Sequence, residues 1–310
     1  MPRPPRIASC VLGAWLCGVG AAAGAADDFA FDYENVLGTS LELVVRADDA
    51  EAAHRAESRV LGEIQRLAAI FSNHDAASEF RRWQGTMGPQ PVSPELFDVL
   101  RASDHWRAAS GGAFDPRVQA LSRLWTRCAA QGRTPSPEEL DAPRSLLARP
   151  AWRLDPRSGT AERRTDCPLT LDAIAKGEIV ERACVVALAE GRGVHGLLLN
   201  VGGDLRVDGE VSRTVAIASP HADSEASEPL TYVEVRGRAV ATSGRSQRGL
   251  RVGGRWYSPL IDPRTGASAE GVAGATVIAA RSADADALAT ILNVLTPAEG
   301  LRLVETLPGS

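Results

Sequence analysis

The chain has 310 residues, 44% hydrophobic and 24% charged, a balance typical of globular proteins and outside the ranges of disordered or fibrous chains. A length of this order fills one large core or two closely packed ones, and we expect one compact unit. The formal charge is −5, and −7 once Arg3 and Arg6 are lost with a leader, so its sign argues against nucleic acid as a partner.

Arg3 and Arg6 precede an apolar run from Ile7 to Ala23, about 17 residues, that ends in small residues. The pattern is that of a secretory signal over residues 1–26, which leaves 27–310 as the mature domain and implies export to the periplasm. A membrane anchor is the alternative reading of the run, and a lipid anchor fits poorly because Trp15 and Leu16 precede Cys17. No later segment is apolar enough over sufficient length to span a bilayer. Cys128, Cys167 and Cys184 remain after cleavage. Export permits a Cys128 to Cys167 disulfide, and buried apolar thiols are the equal alternative.

Leu41, Leu43 and Val45 alternate with polar neighbours within a predicted strand, 37–46. Asp48 and Asp49 can cap the helix that follows, with Val60, Ile64 and Leu67 along one face. A polar loop over 71–78 leads towards a second helix, opened by Ser93 and Pro94 and running to about Ala109. Two glycines in SGGAFDP, 110–116, break that helix before an apolar pattern resumes at Val118, Leu121, Leu124 and Trp125. Residues 131–147 read as a surface excursion with one short helix. Short strands are expected at 152–155, 161–164 and 169–171, then a helix over 176–190. Strands follow at 197–201, 205–207, 215–218, 232–235, 240–241, 255–257 and 275–279, and two helices close the chain, the second capped by Thr296 and Pro297. Without a βαβα rhythm the class is α+β, with largely antiparallel sheets and packed helices.

Three groups of residues suggest chemistry. SADADALAT, 282–290, puts Asp286 and Thr290 four apart on one helix face, where both oxygens can reach a hard cation such as Mg2+; acidic residues here can equally be simple caps. In LTLDAIAKG, 169–177, Lys176 lies at a helix start, where charge and free N–H groups favour an anion, although a solvated lysine is the plainer reading. Glycine turns occur in NVGGD, ATSG and DPRTG; none has the GxGxxG spacing of a dinucleotide fold, and most such turns only connect strands.

Taken in order, LGTSLEL, FSNHDAASE, GAFDP, DAIAKG, NVGGDL, ATSG, YSPLIDPRTG and DADALAT resemble the FAD:protein FMN transferase family, the ApbE family, over nearly the whole mature chain. The resemblance implies an ApbE-like fold that binds FAD and moves FMN, with Mg2+, to a Ser or Thr hydroxyl of an exported flavoprotein acceptor, releasing AMP. It implies flavin contacts at Ala113, Phe114 and Asp115, at Leu37 near the isoalloxazine, at Thr170 where many members have Asp, at Lys176, at Ser243 and Gly244, and at Leu260. The metal is implied at Asp286, Thr290 and the carbonyl of Ala173.

There is one departure of consequence. Where the family string reads SHIIDP, this chain has Ser258, Pro259, Leu260, Ile261, Asp262 and Pro263, so a proline replaces the His thought to act as base. Asp262 is the candidate substitute. An FAD carrier that has lost transfer, or a Mg2+-dependent FAD pyrophosphatase, are the alternatives that this leaves.

Overall fold

The computed structural model describes residues 26–189, 192–220, 228–244 and 249–307. The expected leader therefore lies outside the described residues, apart from Ala26. In chain order the elements are β1 (Asp27–Val36), β2 (Thr39–Ala47), α1 (Ala50–Phe71), α2 (Glu79–Gln84), β3 (Gly88–Pro91), α3 (Pro94–Ala109), α4 (Gln119–Ala130) and α5 (Pro137–Leu147). Next come β4 (Trp152–Asp155), β5 (Thr160–Arg163), α6 (Ala175–Ala189), β6 (Val194–Val201), β7 (Asp204–Gly209), β8 (Arg213–Ile217), β9 (Thr231–Val235) and β10 (Arg238–Gly244). The chain ends with β11 (Leu250–Val252), β12 (Arg255–Tyr257), β13 (Gly274–Ala279), α7 (Ser282–Val294) and α8 (Pro297–Glu305).

The central sheet has six strands in the order β1, β2, β6, β7, β10, β13, and every neighbouring pair is antiparallel. Its register sets Leu41 opposite Val201, Val201 opposite Asp204, and Ser243 opposite Ala275. Leu41, Leu43, Val45, Leu197 and Leu199 send one face into the main core, where α1 contributes Val60, Ile64 and Leu67 and α6 contributes Val180, Ala183 and Cys184. Leu198, Leu205, Val207 and Val240 use the other face, covered by Ile217 of β8 and Val235 of β9. Alanines do the packing where α7 crosses β10: Ala285 and Ala289 meet Ala239 and Ala241, and small side chains let the backbones come close. The α+β class with antiparallel sheets is as expected.

The caps act locally as read. Asp49 accepts from the Ala52 N–H at 2.7 Å, Ser93 from Leu96 at 3.2 Å, and Thr296 forms a capping box with Glu299. Helix α5, in the expected surface excursion, buries no residue. The strand expected at 169–171 does not form. The Leu169 N–H donates to the Gln84 side chain at 3.1 Å and the Thr170 N–H to the Pro116 carbonyl at 2.9 Å, so these groups serve loop contacts in place of a ladder. Four short or edge elements, β1, α2, β3 and β11, were not legible locally; β1 is half-exposed and acidic, and its order comes from pairing with β2. Among the described residues, no helix is long and apolar enough to cross a membrane.

Candidate active site

Four of the strings singled out above converge on one cleft of about 270 Å3. Ala113, Phe114 and Asp115 come from the loop after α3, Thr170, Asp172 and Ala173 from the segment before α6, Pro259, Leu260 and Ile261 from the loop after β12, and Thr290 from α7. The third of these is fixed from below. Ile261 packs with Leu121 and Trp125 of α4, and the Trp125 indole N–H donates to the Gly266 carbonyl at 2.8 Å.

Asp115 borders the cleft, but its carboxylate is engaged. Oδ1 accepts from the backbone N–H and Nε of Arg117, each at 2.9 Å, and Oδ2 accepts from Nη2 at 2.5 Å. Arg117, only 1% exposed, is held further by the Arg149 carbonyl. A buried charge must be paired in this way, and the pair fixes the shape of the GAFDP loop. Asp262 is similarly occupied: Arg264 reaches both its carboxylate oxygens, at 2.9 to 3.2 Å, and the residue does not line the cleft.

Behind the cleft, α6 and α7 meet at their first turns. The Gly177 N–H, which in an uninterrupted helix would reach back to the Ala173 carbonyl, donates instead to Asp286 Oδ2 at 3.0 Å. That leaves the Ala173 carbonyl available to another partner. Asp284 points elsewhere, accepting from the Trp106 indole at 3.2 Å, so the two acids of the DAD string have separate tasks. Lys176 forms an ion pair with Asp204 at 2.8 Å and approaches the carbonyls of Val201 and Gly202 at 3.4 Å. Asp204 therefore belongs to the site, as does Gly177; neither was singled out locally, although both lie inside quoted strings.

Burial pushes the Asp286 carboxyl well above the ordinary range, and the neighbouring charges of Asp204 and Asp172 push the same way against Lys176 and the Gly177 N–H. Asp204 is also raised, by burial opposed by Lys176. Two buried carboxylates, Asp204 and Asp286, thus share the single charge of Lys176, and a hard cation with oxygen ligands would offset the excess. Asp286, Thr290 and the Ala173 carbonyl supply oxygen of that kind. Among the described residues no group of three or more His, Cys, Asp or Glu is arranged as a metal centre, and this set, with its single carboxylate, is of a different type. Ser243 Oγ lies 3.5 Å from Thr290 Oγ1, while Asn293 ties the Ser243 carbonyl to α7 at 2.8 Å; Gly244 ends the same strand.

Leu37 does not line the cleft. With Gly38 it forms the β1 to β2 turn, both at positive φ (53° and 77°), and it is 39% exposed. A bulky residue in the left-handed region, with its apolar side chain in solvent, is strained. The turn lies beside NVGGD, since a Cβ on Gly202 would stand 2.6 Å from the Thr39 side chain.

A sequence model of the ApbE family matches residues 37–310. The chain belongs to the ApbE family. Among curated ApbE relatives, the FAD:protein FMN transferase of Treponema pallidum is 29% identical, with 95% of this chain and 86% of that protein covered. That of Escherichia coli K12 is 27% identical, with 86% and 79% covered. The fold superposes on the crystal structure of the Thermotoga maritima ApbE protein with a TM-score of 0.78 at 26% identity, covering 91% of each chain. The apo flavinyl transferase ApbE of Pseudomonas stutzeri gives 0.77 at 25%, with 92% of this chain and 90% of that one covered. Within this ApbE frame Pro259 borders the cleft, at the position where the sequence comparison expected a His.

Cys128, Cys167 and Cys184 are free, buried thiols, so the packing alternative describes them and the Cys128 to Cys167 bond is absent. Cys167 is pushed up to about 11 by burial.

Proposed function

We propose that this protein transfers FMN from FAD to a Ser or Thr hydroxyl of an exported acceptor protein, with Mg2+, and releases AMP in the periplasm. The observation that carries the reading is the single cleft into which the GAFDP, LTLDAIAKG, SPLIDP and SADADALAT strings all project residues. FAD would lie along Ala113, Phe114 and Thr170 and against Leu260, with Leu37 at the isoalloxazine and Ser243 and Gly244 beside the metal ligand Thr290. Asp115 would contribute through its backbone, since Arg117 occupies its carboxylate.

Asp286, Thr290 and the Ala173 carbonyl would hold Mg2+, which as a Lewis acid neutralises pyrophosphate charge. Lys176, held at the start of α6 by Asp204, would add a positive charge. The chain's main task is alignment: the acceptor oxygen must approach the FMN-side phosphorus in line with the bond to the AMP phosphate, which breaks as the new one forms. Pro259 favours one competing reading, an FAD carrier that has lost transfer. Incubation with FAD, Mg2+ and an exported candidate acceptor, followed by mass spectrometry, separates the two. The acceptor should gain the mass of one FMN less water; a protein that binds FAD and leaves the acceptor unchanged is a carrier.

A further inference from the structure

We infer that Asp172 is the general base of this chain, taking the proton that a proline at 259 cannot. The inference rests on the transferase reading above. Two carboxylates border the cleft, Asp115 and Asp172. Asp115 is spent on the buried Arg117, at 2.5 to 2.9 Å through both oxygens. Asp262 is clamped by Arg264 outside the lining. No described histidine borders the cleft either; His54 pairs with Glu57 and His195 with Asp48.

Among the described residues that line the cleft, Asp172 is the remaining carboxylate, and its position suits the task. Its side chain is exposed to the cleft, and among the described residues no hydrogen bond or ion pair engages its carboxylate. Its backbone, in contrast, is fixed: the Asp172 N–H donates to Thr170 Oγ1 at 3.2 Å, and Asn73 reaches the same hydroxyl at 3.4 Å. Ala173 follows directly, and Thr290 borders the same cleft, so the carboxylate stands next to the proposed metal ligands. In the step inferred, the acceptor O–H gives its proton to the Asp172 carboxylate while the oxygen forms a bond to the FMN-side phosphorus. The bond from that phosphorus to the bridging oxygen breaks, and AMP leaves with the electron pair.

The test compares wild type, Asp172→Asn and Asp172→Asn combined with Pro259→His, using FAD, Mg2+ and the acceptor. Transfer is read by mass spectrometry, and FAD and Mg2+ affinities by calorimetry. A positioned base contributes about 10^2 to 10^4 in rate, so Asp172→Asn should lose at least about a hundredfold in kcat, with both affinities within about threefold of wild type. The double variant should regain at least about tenfold of that loss. The inference is overturned if Asp172→Asn keeps wild-type kcat, or if its deficit vanishes at saturating Mg2+, which would make the carboxylate a metal ligand. A double variant that binds FAD normally and regains nothing also overturns it. A wild type that binds FAD and transfers nothing is a different failure: it sinks the transferase reading, and the base with it.

Discussion

The Gly177 N–H and the Asp286 carboxylate, 109 residues apart, are joined by a hydrogen bond of 3.0 Å that ties the first turn of α6 to the N-terminal half of α7. The contact needs glycine. A Cβ at 177 would stand 2.4 Å from the Ser282 carbonyl oxygen and 2.8 Å from the Ala283 Cα, both backbone atoms that cannot swing aside. The close approach sets where Asp286 and Thr290 stand relative to Lys176 and Ala173.

Gly177→Ala should therefore destabilise the protein although alanine is the better helix former. Overpacking costs about 1 to 3 kcal/mol, against a propensity gain of about 1 kcal/mol. Urea denaturation should show a lower midpoint and, because α7 is displaced, a Mg2+ response weakened at least severalfold. Unchanged stability would mean that the two helices are not in this contact in solution.

Asp286→Asn should separate stability from function. The folded carboxyl is raised above its unfolded value, so it stabilises the fold fully below the ordinary carboxylate pKa, and that contribution is lost as pH rises through the folded value. Asparagine holds the neutral form at every pH and can still accept from Gly177. Without Mg2+ at neutral pH the variant should melt at the wild-type temperature or higher, and added Mg2+ should stabilise wild type alone. A variant that melts lower and keeps its Mg2+ shift would remove Asp286 from the proposed metal site.

Leu37→Asn tests the strained turn. Asparagine tolerates positive φ, and Asn-Gly is the preferred pair for a tight hairpin, so the variant should gain about 0.5 to 1 kcal/mol. If Leu37 covers the isoalloxazine, the same change should weaken FAD binding about tenfold, since roughly 1.4 kcal/mol corresponds to a tenfold change. Flavin fluorescence titration reads the affinity; an unchanged value would detach Leu37 from the flavin.

The three cysteines should resist alkylation in the native state. Only a thiolate reacts, and with Cys167 pushed up to about 11 and Cys184 higher still, little is ionised at neutral pH. With residues 27–310 alone, mass spectrometry after iodoacetamide treatment should find none of the three labelled in the folded protein, Cys128 because it is wholly buried, and three after denaturation, with native labelling of Cys167 and Cys184 rising only in strong alkali. Fewer than three in the denatured, unreduced protein would reveal a disulfide.

The starts of the longer helices, the alternation of β2 and the order of the site strings were legible in the sequence, whereas β1, α2, β3 and β11 were not. Asp49, Ser93 and Thr296 cap the helices that follow them, and Leu41, Leu43 and Val45 turn one face inward, because capping and side-chain period act over a few residues. The tertiary structure decided the partners of the charges. It gave Asp115 to Arg117, Asp262 to Arg264, Asp284 to Trp106 and Asp286 to Gly177, and left Asp172 at the cleft without a side-chain partner among the described residues. Two of these partners lie within two residues and two lie more than a hundred away, so spacing cannot say which acid is spent on structure. What settles it is burial, which penalises an unpaired charge and is fixed only once distant elements have packed.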